Sequence, residues 1–169
     1  MQGLLVLGSR PDVLSGKMQI RNFKILYENA ADYAYPPLFL SHAQLLLSRL
    51  MTQCRRVCVW AEGDAAACAL VLAAQLDVDR LILIGDGPFI KRHPDFRQRR
   101  FNAFVRRNLS LITSEIIAAD MSAAACRQLS SSLNWHSCLV CFADGAELWQ
   151  KSETFLTAPF EALSAPLDP

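Results

Sequence analysis

The chain is short of charge and shorter still of charge imbalance. Charged residues make up 20% of its 169 positions, and the formal net charge is +1. That balance excludes an overall electrostatic pull toward nucleic acid or an acidic partner. No apolar run reaches the ~18 residues needed to span a bilayer. The start, Met1-Gln2-Gly3-Leu4-Leu5-Val6-Leu7-Gly8, has neither a basic leader nor a long apolar core. It therefore reads as a first strand and not as a secretion signal, with a cytoplasmic location as the expectation. There is no internal repeat and no low-complexity linker. No histidine follows Ala143; the three are His42, His93 and His136.

What is present is apolar material. Hydrophobic residues are 52% of the chain, enough for one well-packed core. Residues 4–7 form a continuous apolar run ending at Gly8, the pattern of a strand buried on both faces. Ser9-Arg10-Pro11-Asp12 reads as a loop. Residues 23–27 are a second strand, followed by a loop over 29–37. Ser41 with Gln44 makes a capping box for a helix whose apolar face is Leu45, Leu46, Leu47, Leu50 and Met51. Residues 57–61 are a third strand, 64–75 an alanine-rich helix, and 80–84 a fourth strand bounded by Gly85-Asp86-Gly87-Pro88. A long helical region over 95–133, broken near Thr113 and Asp120, comes next. Residues 137–143 form a fifth strand closed by Asp144-Gly145, and a last helix covers 152–163. The alternation predicts one three-layer α/β/α domain over 1–163 with a mostly parallel sheet, a cap-like helical segment over 88–133, and a tail over 164–169.

The six cysteines are Cys54, Cys58, Cys68, Cys126, Cys138 and Cys141. Cys58, Cys138 and Cys141 fall in strands predicted to be buried, and Cys68 in the alanine-rich helix. Cys138 and Cys141 have metal-ligand spacing, but residues three apart on a strand point to opposite faces. The expectation is reduced core thiols and no metal.

Val57-Cys58-Val59-Trp60-Ala61-Glu62-Gly63-Asp64-Ala65-Ala66-Ala67-Cys68-Ala69-Leu70 reads as strand, tight turn and a helix that opens on small residues. Arg80-Leu81-Ile82-Leu83-Ile84-Gly85-Asp86 supplies the next strand. Phe23 to Tyr33 gives a strand and loop upstream, and Leu4 to Ser9 a strand leading into a loop. In this order the pieces resemble the α/β-hydrolase superfamily over roughly residues 4–143. The resemblance implies a nucleophile elbow at the turn, an oxyanion loop near Ser9, a cap over the pocket after the fourth strand, an acid after a late strand and a histidine beyond it. The chain is short for the family, which implies missing late strands.

The residues depart from that pattern. The elbow is Gly-x-Ser-x-Gly, with the nucleophile on a sharp strand-to-helix turn. Here it aligns with Ala61-Glu62-Gly63-Asp64-Ala65, so glycine takes the nucleophile's place. A one-residue shift would put Asp64 there, as in relatives with a carboxylate nucleophile. Asp144 follows the fifth strand, where the family's acid sits, but no histidine comes after it to be oriented.

Asp64 is a candidate nucleophile or a helix cap. Glu62 is a pocket acid or a first-turn charge. Ser9, Glu62, Gly63 and Asp64 would flank a crevice at the carboxyl ends of the strands. Backbone N–H groups at the helix start could hold an anion. Glu62 and Asp64 oppose one, so a neutral or cationic ligand fits better. A phosphate loop at Gly8 to Lys17 fails on spacing, with seven residues between Gly8 and Gly16 and Met18 in the magnesium-binding position. No cofactor is implied.

Residues 91–107 concentrate Lys91, Arg92, Arg97, Arg99, Arg100, Arg106 and Arg107, with His93 among them and only Asp95 opposing. On a helix Phe101, Phe104, Val105 and Leu109 share one face. The segment is either a solvated basic face that packs through its phenylalanines or a contact surface for an acidic protein, nucleic acid or anionic lipid. The rest of the chain lacks the further basic runs of a nucleic-acid binder.

Three functional expectations follow. The first is a non-catalytic relative with a binding, regulatory or scaffold role, because both the elbow serine and the C-terminal histidine are absent. The second is an unusual hydrolase using Asp64 and Asp144, with His42, His93 or a second subunit supplying the imidazole. The third is a partner-binding module built on residues 91–107. A shortened sheet would expose an edge, through which a homodimer could form.

Overall fold

The structure is a computed structural model and describes residues 1–8, 20–30, 36–86 and 96–164. Ser9, His93, Lys91, Arg92 and the tail beyond residue 164 lie outside the described residues.

Six strands form one sheet: β1 (Gln2–Gly8), β2 (Phe23–Asn29), β3 (Val57–Glu62), β4 (Arg80–Ile84), β5 (Glu115–Ala119) and β6 (Cys138–Phe142). They lie in the order β2-β1-β3-β4-β5-β6, and every neighbouring pair is parallel. The helices are α1 (Pro36–Met51), α2 (Ala65–Gln75), α3 (Phe96–Asn108), α4 (Ala123–Ser132), α5 (Gly145–Gln150), α6 (Ser152–Thr157) and α7 (Phe160–Ser164).

Strand side chains alternate between two buried layers. Leu5, Leu7, Val59, Ala61, Leu81, Leu83, Ile116 and Ala118 pack with α1, α2, α3 and α4 through Leu47, Leu50, Leu70, Val105 and Leu129. Leu4, Val6, Cys58, Trp60, Ile82 and Ile117 pack with α5, α6 and α7 through Leu148, Phe155, Leu156 and Phe160. The sheet is thus covered on both faces, which explains why β1, β3 and β4 read as unbroken apolar runs. In α2 all residues from Ala65 to Ala73 are buried. Alanine lets that helix lie close on the sheet.

The C-terminal half differs from the sequence reading. Residues 115–119, which the sequence pattern places in a helix, are β5. Its pattern Glu-Ile-Ile-Ala-Ala is too short for periodicity to separate strand from helix. Pairing decides it: Ile117 aligns with Ile82 on β4 and with Val140 on β6. The strand ends at Asp120, whose φ of 52° breaks the extended backbone. The strand read as fifth is therefore the sixth, and a late strand is present that was not expected.

Two helix boundaries also move. Helix α1 opens at Pro36, where proline's missing N–H does no harm, so Ser41 is interior and donates its hydroxyl to the Pro37 carbonyl at 2.9 Å. The single last helix is three short ones, beginning at Gly145. Because β6 is an edge strand, Cys138 and Cys141 are exposed and are not core thiols, whereas Cys58 and Cys68 are buried as expected.

One buried ion was not anticipated. Arg80, at the start of β4, is 0% exposed. Its guanidinium donates to Glu115 from Nε at 2.8 Å and from Nη2 at 2.6 Å, and from Nη1 to the Phe155 carbonyl at 2.6 Å. It ties β4, β5 and α6 together at the amino end of the sheet. Among the described residues no helix is long and apolar enough to cross a membrane.

Candidate functional site

The chain leaves β1 for β2 on one side and then returns to β3 on the other. In open parallel sheets this reversal opens a crevice beyond the carboxyl ends of the two inner strands. Here those ends are Gly8 and the turn after Glu62.

The turn is built around Gly63. Its φ is +55°, which favours glycine, while Asp64 has φ −64° and ψ −24°, an ordinary helical residue. The left-handed corner of the strand-to-helix turn is thus Gly63. Among the described residues, a Cβ added there would meet nothing within 4 Å. The Gly63 amide donates to the Ile84 carbonyl at 2.8 Å, and its carbonyl accepts from the Ala66 amide at 3.1 Å. Asp64 is exposed at the start of α2 but makes no capping hydrogen bond with its side chain, contrary to the cap expected there. Glu62 is half-buried, with its carboxylate 3.4 Å from the Trp60 indole nitrogen, a long contact.

The neighbouring turns repeat this stitching. Gly85, at φ +96°, follows β4, and its amide donates to the Ala119 carbonyl at 2.9 Å. After β5, Asp120 accepts the Gly145 amide on Oδ1 at 2.9 Å. A Cβ on Gly145 would lie 2.4 Å from Asp120 Oδ2, so that carboxylate occupies the space a side chain at 145 would need. Asp86 Oδ1 accepts the Ser122 amide at 2.5 Å, and the Ser122 hydroxyl caps α4 by accepting from Ala125 at 3.2 Å. Asp144 caps α5, accepting from the Ala146 amide at 2.7 Å.

Glu62, Gly63 and Asp64 therefore sit together, while Asp144 lies at the end of β6. Three strand spacings separate β3 from β6, roughly 14 Å. Sequence reasoning missed Asp120, because β5 was hidden in a supposed helix. The available signal was an aspartate closing a short Ile-Ile-Ala-Ala run.

The described imidazoles have other partners. His42 Nδ1 is 2.7 Å from Glu28 on β2, two strands from β3. His136 stacks on Trp135 with ring centroids 3.5 Å apart, just before β6 begins and so at the opposite end of the sheet from Gly63. Among the described residues no group of three or more histidine, cysteine, aspartate or glutamate side chains is set to hold a metal.

The basic segment forms α3 from Phe96 onward. Arg99, Arg100, Arg106 and Arg107 are exposed, and Arg97 lies in the same helix. Phe101 and Val105 are buried, as the face pattern requires, but Phe104 is 41% exposed and rests against Phe101 with centroids 6.5 Å apart.

No protein-family model and no curated protein matches the chain. Solved structures do. One of LipS and LipT, two metagenome-derived lipolytic enzymes, matches with a TM-score of 0.65 at 10% identity, over 92% of this chain and 93% of its own. The N-formylmaleamic acid deformylase of Pseudomonas putida matches at 0.57 and 12% identity, over 92% and 90%. A peroxisomal alpha-beta-hydrolase of Saccharomyces cerevisiae matches at 0.57 and 11%, over 99% and 78%. The fold is that of an α/β-hydrolase-like protein, a six-stranded parallel sheet between helical layers. At these identities the likeness defines the fold and not the chemistry.

Proposed function

We propose that this is a non-catalytic α/β-hydrolase-like protein with a binding, regulatory or scaffold role. In serine hydrolases of this fold the triad runs serine, acid, histidine along the chain, with the serine on the strained elbow. The corresponding stations here are Gly63, Asp120 and Gly145. The observation that carries the reading is Asp120. Its carboxylate is bonded to the backbone amide of Gly145 and fills the space where a side chain at that station would begin. The stations of nucleophile and base, Gly63 and Gly145, then both lack a side chain, and either loss alone removes most of such a site's catalysis.

Asp64 is a poor substitute nucleophile. It lies one residue past the left-handed corner in ordinary helical geometry, and His42 and His136 are engaged elsewhere. The position beyond Gly63, clear of the other described residues, suits a small neutral or cationic ligand, since Glu62 and Asp64 flank it. A panel of fluorogenic esters tests the reading. The expected result is no turnover above buffer; turnover abolished by Asp64→Asn or Ser9→Ala would overturn it.

A second reading is favoured by α3, whose exposed face carries Arg99, Arg100, Arg106 and Arg107. These form two arginine rows at seven-residue spacing, a surface for an acidic protein partner. Capture of such a partner should weaken steeply with salt. Unchanged capture after charge reversal at Arg99 and Arg100 would exclude this surface.

A further inference from the structure

Of the six cysteines, two face each other across different elements. Cys126 on α4 and Cys141 on β6 have their sulfur atoms 3.0 Å apart. We propose that Cys126 and Cys141 are a dithiol site that closes reversibly into a disulfide, tying α4 to the edge strand β6.

The two sulfurs need to approach by only about 1 Å to bond. Both are reachable by a reagent: Cys126 is half-buried and Cys141 is exposed. The other four cysteines do not compete: Cys54 lies against Gly3 of β1, four strands from β6. Cys58 and Cys68 are buried in separate layers of the core. Cys138 is exposed, but it is three residues from Cys141 on the same strand and so points to the opposite face. Its side follows Val140 and Phe142, which pack on the layer containing α5, α6 and α7. Leu139 and Cys141 turn toward the layer containing α4.

The chemistry balances with a small disulfide as oxidant, for which oxidised glutathione is the probe. The Cys126 thiol, giving up its proton, attacks one sulfur of the probe and expels a glutathione thiolate, which takes up that proton. The Cys141 thiol then gives up its proton, attacks Cys126 Sγ in the mixed disulfide and expels the second glutathione. Two protein thiols and one oxidised glutathione become one protein disulfide and two reduced glutathiones. Burial, and then the hydrogen bond with Cys126, push the Cys141 thiol up to about 12. That shift slows attack by Cys141, so its part in the second step rests on proximity, with the mixed disulfide on Cys126 held against it.

The bond would lie just below the turns described above. Cys141 is in register with Ala118, two residues before Asp120, and precedes Gly145 by four. Closing it fixes the spacing of α4 and β6 beneath the Asp120–Gly145 contact.

The full chain is incubated with oxidised glutathione, and its intact mass and non-reducing peptide map are read. The expected product is lighter by two hydrogen atoms, yields a Cys126–Cys141 linked peptide, reverts with dithiothreitol, and melts roughly 5–10 °C higher. Cys138→Ser should still close; Cys126→Ser and Cys141→Ser should not. A mixed disulfide that accumulates on the wild-type chain without closing, or a link through Cys138 or to a second chain, would overturn the proposal.

Discussion

The carboxylate of Asp120 is held by the main chain of Gly145. Oδ1 accepts its amide at 2.9 Å, and Oδ2 stands where a Cβ at 145 would project, at 2.4 Å. One residue closes β5 and the other opens α5, so the contact pins the ends of two neighbouring strands together. A side chain at 145 would have to displace that carboxylate, and its Cβ would also come within 2.9 Å of Ile84 Cγ2.

Replacing Gly145 by alanine should therefore destabilise the fold by about 1–3 kcal/mol, the usual cost of overpacking. Urea unfolding measures it. Asp120→Gly removes the obstructing carboxylate and suits the left-handed backbone at 120. The double variant should fall short of the summed single losses by at least ~0.5 kcal/mol, the coupling expected of contacting residues. Additive losses would show that the two positions do not share this space.

Gly63→Ser separates the elbow's conformation from its chemistry. A serine side chain clears the described residues, none of which lies within 4 Å of the Cβ position, but φ of +55° strains any residue with a Cβ. The expected loss is about 1–2 kcal/mol. Ester turnover should remain at background, since neither His42 nor His136 is placed to take the serine's proton. A gain of turnover in this variant would locate a base that the proposal denies.

The legibility of the chain divides along physical lines. Strands β1, β3 and β4 and helix α2 were readable because burial on every side leaves unbroken apolar sequence. Strand β5 was not, because five residues between two strands carry no period, and only pairing with Ile82 and Val140 fixes Ile117. The start of α1 was misplaced because Ser41 and Gln44 imitate a capping box downstream of Pro36. At the site, the absence of a hydroxyl at Gly63 could be read directly. The Asp120–Gly145 and Cys126–Cys141 contacts could not, since each joins segments whose proximity depends on the β5–β6 pairing.

Arg80 offers a test of the sheet's other end. Its guanidinium is fully buried, paired with Glu115 and bonded to the Phe155 carbonyl. Arg80→Ala leaves the carboxylate without its main partner, although Arg56 Nη2 remains 3.2 Å from it. Glu115 is one-third exposed and keeps Arg56, so the expected cost is about 1–3 kcal/mol by denaturant midpoint, from the lost charged hydrogen bonds. Arg80→Met, which fills the volume, should cost less than Arg80→Ala. Equal losses would show that the cavity is immaterial.

Alkaline pH should loosen the core through two thiols. Burial pushes both Cys58 and Cys68 from the ordinary 9.0 up to about 12. Each thiol keeps its proton longer in the folded chain than in the unfolded one. Below pH 9 both states are protonated, so stability is undiminished. Between 9 and about 12 the unfolded chain binds fewer protons and gains on the folded one, so stability falls as pH rises. A span of this size corresponds to up to about 4 kcal/mol per thiol. Urea midpoints from pH 8 upward should decline, and Cys68→Ala should flatten the slope. At neutral pH, iodoacetamide should label Cys138 on the native chain and leave Cys58 and Cys68 unlabelled until urea unfolds it. Early labelling of Cys58 or Cys68, with a slope unchanged by Cys68→Ala, would mean that the core around α2 is open to solvent.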